Sequence, residues 1–207
     1  FSENIGFVMD IDPDDPEDLD MPFWVTAHEM GHQWWPHQVS GGNVQGSGFL
    51  SEGLAEYSAV SLLEKEKGEK QLRKFLKYEL DKYLIGRYSE QKFEPTIVQT
   101  ENHPYIHYNK AGLMMYTLSD FIGKDVFNSA LGRFIDKFRY QSNPYTNIGE
   151  FVKTIREDTP DDLQYLITDT FEKITLYENK AKEASAVENG DGTFTVTIKV
   201  EAKKVYS

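Results

Sequence analysis

The sequence has no cysteine, no uninterrupted apolar run long enough to span a membrane, and no excess of basic residues. Without cysteine, disulfides and thiol nucleophiles are excluded, and any metal must be held by His, Asp or Glu. The net charge of −12, from 34 acidic against 22 basic residues, repels nucleic-acid phosphates and anionic membranes. We therefore expect a soluble segment with no nucleic-acid partner and no direct insertion into a membrane.

The composition is that of an ordinary globular protein, with 39% hydrophobic and 27% charged residues. Apolar residues recur at helical spacing over most of the chain, and the pattern then changes to alternation in TFTVTIKV after a glycine-containing turn at 189–192. The fold class is therefore expected to be mainly α, with a helical domain at 1–172 and a β-hairpin at 173–207 that begins a further β domain. Helices are expected at 23–35, 51–67, 69–85, 108–121, 126–140, 148–157 and 161–171.

The start of the chain is less regular. Residues 4–9 are β-like, and the acidic stretch DIDPDDPEDLD at 10–20 is expected to be a loop. Its alternating Asp10, Asp12 and Asp14 resemble the start of a calcium loop, but Asp15 replaces the glycine expected at the sixth position and Met21 the glutamate expected at the twelfth. A solvated acidic loop is the better interpretation. Because the sequence begins at Phe1 without Met, we expect the first domain to be truncated at its N-terminus.

The motif HEMGH at residues 28–32 has the HExxH pattern of zinc peptidases. Residues four apart on a helix differ by 400° in direction, so His28 and His32 project side by side and can bind one zinc ion. Glu29 flanks that face. Zinc lowers the pKa of a bound water to about 7, so a carboxylate at this position suits a general base. Pro22 suits the start of this helix and Pro36 forbids its continuation.

Two histidines do not complete a zinc site, and an amphipathic helix with ordinary core or surface histidines is the alternative. Glu52 favours the metal site because it follows a glycine-rich loop at 40–48 that can turn the chain back, with Ser51 as the expected N-cap of the next helix. A third ligand from a neighbouring helix leaves the fourth position open, as in catalytic zinc sites. We expect one Zn²⁺ per chain. Trp24, Trp34 and Trp35 are expected to form core around the first helix.

The segments AHEMGHQWWPHQV and LSEGLAEY resemble the gluzincin zinc aminopeptidases, which are relatives of aminopeptidase N and leukotriene A-four hydrolase with a thermolysin-like catalytic domain. The resemblance extends over residues 1 to about 172 and is most specific at 26–57. Residues 33–51 separate His32 from Glu52, one more than the eighteen of the family pattern. The nearest likeness is to bacterial members in which the peptidase is attached to a membrane-transporter permease, which implies that the full-length protein is membrane-anchored.

The resemblance implies roles for two further residues. Tyr108, in IHYNKAG, matches the tyrosine that hydrogen-bonds the oxyanion of the tetrahedral intermediate in this family, whereas packing at a helix start is the alternative role. FSENIGF resembles the family's G-x-M-E-N segment, whose glutamate binds the free amino terminus of the peptide. Only the Glu-Asn pair is retained here, and it makes Glu3 the candidate substrate anchor.

Residues around these candidates have both structural and functional interpretations. Glu56 lies one helical turn after Glu52, so it can accept a hydrogen bond from a ligand histidine, although it can equally be a solvated helix acid. His103 and His107 lie close to Tyr108 in sequence, where they line the cleft or serve packing.

The sequence therefore predicts a zinc-dependent peptidase that acts on a peptide substrate, and in particular an aminopeptidase. One alternative is an endopeptidase with the same zinc centre and no amine anchor. The other is a catalytically silent, peptide-binding module of a transporter-associated protein. The intact His28, Glu29, His32 and Glu52 favour catalysis.

Overall fold

Helices carry most of the chain up to residue 172 in the computed structural model, which describes residues 3–12, 15 and 18–207. The chain divides into two compact units, Phe1–Glu172 and Lys173–Ser207. The expected mainly α fold with a C-terminal β-hairpin is confirmed. In chain order the regular elements are α1 Met21–Gly31, α2 Leu54–Ser89, α3 Ala111–Ile122, α4 Lys124–Phe138, α5 Ile148–Asp158, α6 Gln164–Ile167, β1 Thr175–Glu188 and β2 Phe194–Tyr206.

Short helical turns join several of these elements. Wide turns, which have π-helical geometry, precede α2 and α3 and follow α6. Tighter 3₁₀ turns lie before α6 and between α2 and α3. Both turns before α2 and α3 run directly into the helix that follows, so each pair forms one continuous helical segment. The turns are Phe49–Gly53, Tyr105–Lys110, Thr168–Glu172, Ile97–Gln99 and Asp161–Leu163.

The first helix begins where the sequence predicts but ends earlier. The Asp20 carboxylate accepts a hydrogen bond from the Phe23 amide at 3.1 Å, and a proline occupies the first turn. After Gly31 the chain continues in turns rather than in the α-helix expected up to Trp35. The expectation that three tryptophans form core around it is wrong for Trp34, which is 43% exposed at the surface of these turns.

The helical segment that leads into α2 begins before the predicted N-cap, Ser51. Ser51 lies inside the turn Phe49–Gly53, so the N-cap assignment is wrong. Phe49 and Leu50 are buried in the core, and their packing draws the chain into helical geometry ahead of the serine. The predicted break at Gly68 is confirmed, since this residue has a positive φ of 78° that interrupts the helix.

The opening segment is helical instead of β-like. Asn4–Val8 forms one wide turn that packs against α1, so tertiary contact overrides the local preference. The described residues of the acidic stretch adopt neither helix nor strand, as expected of a loop. Lys74 holds this loop by donating to the carbonyls of Asp15 and Asp18 at 3.0 and 3.1 Å. Asp14, on which the calcium alternative depends, lies outside the described residues.

Close packing of α1 against α2 brings the predicted site together. Trp24 stacks on Phe75 with ring centroids 4.5 Å apart in an apolar cluster shared by the two helices. Nearer the site, a Cβ on Gly31 would lie 3.0 Å from the Cα of Ala55. Glycine in HEMGH therefore permits the two backbones to approach closely, directly beside the predicted metal ligands.

The second unit is an antiparallel hairpin in which Thr175 pairs with Tyr206 and Glu188 with Phe194. Its register shifts between Ala181 and Glu183. The predicted turn at 189–192 joins the two strands, whereas the larger β domain expected to follow stays a prediction. Within the described part of the chain, no helix combines the length and the apolar character needed to cross a bilayer.

Candidate metal centre

The three predicted metal ligands converge. His28, His32 and Glu52 each offer one ligand atom, and these atoms lie within 4.8 Å of one another. The Nε2 atoms of His28 and His32 approach Glu52 Oε2 at 3.2 and 3.3 Å. The helical spacing in HEMGH sets the two rings side by side, with centroids 4.8 Å apart, and α2 supplies the carboxylate opposite them.

A second hydrogen bond fixes each imidazole. His28 Nδ1 lies 2.7 Å from Glu56 Oε2, and His32 Nδ1 donates to the carbonyl oxygen of Trp35. Because Nδ1 of each ring is occupied by its acceptor, Nε2 is the atom of each ring that is left to bind a metal ion. Glu56 is buried and contacts His28, which favours its predicted role as the acceptor for a ligand histidine over that of a solvated helix acid.

The electrostatics of the centre are dominated by its carboxylates. Burial on its own would lower the pKa of His28, but the hydrogen bonds and charges of Glu52 and Glu56 raise it to about 9. Burial would raise the pKa of Glu52, but hydrogen bonds from His28 and Tyr108 and the charge of His32 lower it to about 2. The centre is therefore negative enough to hold a proton on His28, and the same charge suits a divalent cation.

Tyr108 lies beside the ligands. Its ring centroid is 5.7 Å from that of His28, and its phenol interacts with the Glu52 carboxylate. Burial raises the pKa of Tyr108, and the hydrogen bond and charge of Glu52 raise it further. The phenol therefore stays protonated and keeps a hydrogen-bond donor facing the centre.

Two cavities flank the ligands, and Glu29 lines both. The first, of about 490 Å³, also contains His28 and Tyr108 in its wall. The second, of about 620 Å³, contains His32 and Glu52. Glu29 is half-buried and is not one of the three converging ligands, although it follows His28 in the chain and lies in the walls of both cavities.

Other predicted residues lie apart from the ligand cluster. Glu3 is exposed and is not among the described residues that line either cavity. His103 Nε2 lies 3.6 Å from Glu90 Oε2, and His107 is half-buried with its ring next to Gly48. Neither histidine is among the residues that line the two cavities. His37, for which the sequence suggests no role at the site, lines the second cavity.

Glu79 is a buried residue at the site that sequence reasoning missed. It lies in the wall of the first cavity on α2, next to Glu56. A signal was present, because Leu72, Phe75 and Glu79 follow one another at helical spacing and the first two are fully buried. An acid within such an apolar stripe indicates a buried, partnered carboxyl group.

The donor set fits zinc. Two imidazole nitrogens and one carboxylate are typical of catalytic zinc sites, which keep a fourth position for water or substrate. The acceptors on both Nδ1 atoms provide the outer contacts that metal-bound histidines require. His28, His32 and Glu52 can therefore hold the ion while the Nδ1 atoms keep their present acceptors.

Comparison with known sequences connects this geometry to a family. A model of the peptidase family M1 domain matches residues 7–171. A Caenorhabditis elegans protein named "Putative aminopeptidase-2" is 26% identical over 121 residues, which make up 57% of this chain and 6% of that protein. The chain thus spans only a small part of this relative.

Solved structures share the fold. A mutant M1 zinc metallopeptidase from Deinococcus radiodurans superposes with a TM-score of 0.56 at 18% identity, covering 72% of this chain and 33% of that one. The same mutant bound to a Tyr-Ser-Ala substrate gives 0.54 at 19% identity, with 72% and 32% covered. The chain spans about a third of these structures, and at such identities the likeness concerns the fold.

The family match covers well over half of the chain, and it includes every predicted site residue from His28 to Tyr108, whereas Glu3 lies outside the matched range. The gluzincin resemblance seen in the motifs is thereby confirmed at the level of the family, and zinc is the cofactor that membership implies. This chain belongs to the M1 family of metallopeptidases.

Proposed function

We propose that this chain is the catalytic segment of a zinc-dependent aminopeptidase, with His28, His32 and Glu52 as the metal ligands. The convergence of their three ligand atoms within 4.8 Å is the observation that carries the proposal. Family membership supports peptide hydrolysis as the reaction. The name of the nematode relative supports the aminopeptidase specificity.

The proposed chemistry divides between the metal and the side chains around it. When bound, zinc supplies Lewis acidity that polarises the scissile carbonyl and acidifies a water molecule. Glu29 accepts the proton of the attacking water and delivers it to the leaving amine as the carbon–nitrogen bond breaks. This role is supported by its place in the walls of both cavities.

Tyr108 is the proposed oxyanion stabiliser. Its protonated hydroxyl, held beside His28 and Glu52, can donate to the oxygen of the tetrahedral intermediate. We expect Tyr108→Phe to lower kcat by about 10²–10³, as the loss of one oxyanion donor does elsewhere. Steady-state kinetics of the zinc-loaded variant measure this, and an unchanged kcat would remove Tyr108 from the mechanism.

Glu3 is the proposed anchor for the free amino terminus of the peptide, since its carboxylate can neutralise an ammonium group. Its exposure leaves it accessible to such a group. Support for this role comes from the Glu-Asn pair in FSENIGF. We expect Glu3→Gln to raise KM for free peptides and to leave zinc binding unchanged.

The test compares one peptide in free and amino-terminally acetylated forms, incubated with the zinc-loaded chain and with Glu29→Gln. Mass spectrometry of the products shows which bond is cut. Release of the first residue from the free form alone supports the aminopeptidase. Equal internal cleavage of both forms identifies an endopeptidase, and zinc binding without cleavage identifies a silent binding module.

A further part of the proposal concerns the full-length protein. The sequence resembles bacterial family members in which the peptidase is attached to a membrane-transporter permease, and this resemblance supports tethering of the peptidase to a membrane protein. Expression of the full-length protein followed by membrane fractionation tests this. We expect the peptidase to sediment with membranes and to be released by detergent but not by high salt.

A further inference from the structure

Glu79 is a buried acid that the proposed chemistry does not use. It is 1% exposed, projects from the apolar face of α2, and lies with Glu56 in the wall of the first cavity. A carboxyl group in such a position needs hydrogen-bond partners, because an unpaired buried charge is strongly unfavourable. Its partners are Glu56 and Asn109, which belong to two different parts of the site.

The first partner leads to a metal ligand. Glu79 is hydrogen-bonded to Glu56, and Glu56 Oε2 lies 2.7 Å from His28 Nδ1. Glu56 is held closely on its other side, since a Cβ on Gly112 would lie 2.8 Å from Glu56 Cγ. His28, Glu56 and Glu79 therefore form a continuous buried chain of hydrogen bonds that runs from α1 into α2.

The second partner leads to the turn that carries Tyr108. The Asn109 side-chain amide donates to Glu79 Oε2 at 2.8 Å. Asn109 follows Tyr108 in the same turn, Tyr105–Lys110. Glu79 thus lies between the metal-ligand side and the oxyanion side of the site and contacts a residue of each.

The contact between the two carboxyl groups requires a proton. Two carboxylates cannot hydrogen-bond each other unless one of them is protonated, and buried like charges oppose ionisation of both. Glu56 Oε2 already accepts from His28 Nδ1, whereas the other partner of Glu79 is the uncharged Asn109 amide. Glu79 is therefore the acid placed to donate, and its burial, which raises its pKa to about 8, acts in the same direction.

We propose that Glu79 is a positioning residue that donates to Glu56 and accepts from Asn109, and so holds both His28 and the Tyr108 turn in place. The inference rests on the proposed function for its catalytic consequence, whereas its effect on the metal site is independent of catalysis. Without this donor, the buried Glu56 carboxylate keeps only its contact with His28, and its position is no longer fixed from the side of α2. The His28 ring then loses a fixed acceptor.

The test exploits the shape of glutamine. In Glu79→Gln the amide nitrogen can donate to Glu56 and the amide oxygen can accept from Asn109, so the neutral acid is imitated on both sides. In Glu79→Leu neither contact is possible. Glu69→Leu is the matched control, because Glu69 is an exposed glutamate of the same helix with a 73% exposed side chain.

Zinc affinity by competition with a chelating dye is the first readout, and kcat and KM are the second. We expect Glu79→Leu to weaken zinc binding about tenfold, the lower end of the effect of outer-shell partners, and to lower kcat with little change in KM. Glu79→Gln and Glu69→Leu are expected to bind zinc as the unsubstituted chain does. The zinc readout holds even if no peptide is cleaved, so failure of the proposed function is distinguished from failure of this inference.

Two results would overturn the proposal. Glu79→Gln weakening zinc binding as much as Glu79→Leu would mean that Glu79 acts through its charge. Unchanged zinc affinity in Glu79→Leu would mean that the hydrogen bonds do not position His28. Should Glu79→Leu fail to fold, Glu79→Asp replaces it, because the shorter acid cannot reach both partners and the same weakening is expected.

Discussion

The carboxylates around His28 differ from those on the outer faces of the helices in what surrounds them. Glu52, Glu56 and Glu79 lie among histidines, tyrosine and one another, and Glu56 and Glu79 are almost entirely buried. Glu69, in contrast, pairs with Arg73 on the surface of α2, with side chains 73% and 76% exposed. Glu56 and Glu79 have lost their contact with water, and Glu52 keeps 23% of its side chain exposed, far less than Glu69.

This difference determines what each group can do. Water screens an exposed ion pair, so such a pair contributes little to stability and can be changed without consequence. A buried carboxylate depends entirely on its protein partners, and its proton affinity follows from them. The pKa of Glu52 is therefore lowered to about 2 while that of Glu79 is raised to about 8 within one site.

The largest effect is expected at Glu29, which lines both cavities. Glu29→Gln removes the proposed base but none of the three converging ligands, so kcat should fall by about 10²–10⁴ with zinc content unchanged. Kinetics and metal analysis of the same preparation measure both quantities. Loss of zinc from this variant would show that Glu29 belongs with the metal ligands.

A smaller effect is expected at Glu56, which contacts a metal ligand but is not itself one of the ligands. Glu56→Leu removes the acceptor of His28 Nδ1, and loss of such a partner should weaken zinc binding about 10- to 100-fold. Dye competition measures the affinity, with Glu69→Leu as the exposed control. Equal affinities of the two variants would remove the distinction between buried and exposed acids.

A moderate effect of pH is expected for the metal-free chain. The folded-state pKa values of Glu79, about 8 against an ordinary 4.5, and of His28, about 9 against 6.5, are both raised. The folded chain thus binds more protons than the unfolded chain, and its free energy of unfolding should fall as pH rises from about 5 to 9. Urea denaturation with a chelator present measures this trend.

The glutamine variant separates the two contributions to this trend. In Glu79→Gln, the fall in the free energy of unfolding between the ordinary pKa of Glu79 and about 8 should disappear. The fall that is due to His28 should remain. A pH dependence identical to that of the unsubstituted chain would contradict the assignment of a neutral acid at Glu79.

The smallest effect is expected on the surface. Glu69→Gln breaks the exposed pair with Arg73 and should change the free energy of unfolding by less than about 0.5 kcal/mol. Zinc affinity and kcat should not change. A change as large as that of Glu56→Leu in any of these quantities would indicate that exposure is not what separates the two groups.

The parts of the site that depend on local spacing could be predicted from the sequence. HEMGH places two imidazoles on one helical face whatever the rest of the chain does, and LSEGLAEY puts Glu52 at the beginning of the next helix. Helix boundaries marked by glycine, as at Gly68, were also predictable, because a positive φ is a local property.

The parts that depend on tertiary packing could not be predicted in the same way. The opening turn Asn4–Val8 is helical where it packs on α1, and the helical segment around Ser51 begins early because Phe49 and Leu50 are drawn into the core. Glu79 lies far from the motif in sequence, so only the folded chain reveals its contact with Glu56 and Asn109. Long-range contacts between polar side chains leave only a weak trace in the sequence.

Metal content measured by mass spectrometry on the purified chain, beside a His32→Ala variant prepared identically, tests the central claim most directly. The account predicts about one zinc per chain in the unsubstituted protein and its loss in the variant, since two ligands do not make a stable site. If the unsubstituted chain, supplied with zinc, holds no more metal than the variant, the proposed metal centre at His28, His32 and Glu52 is contradicted.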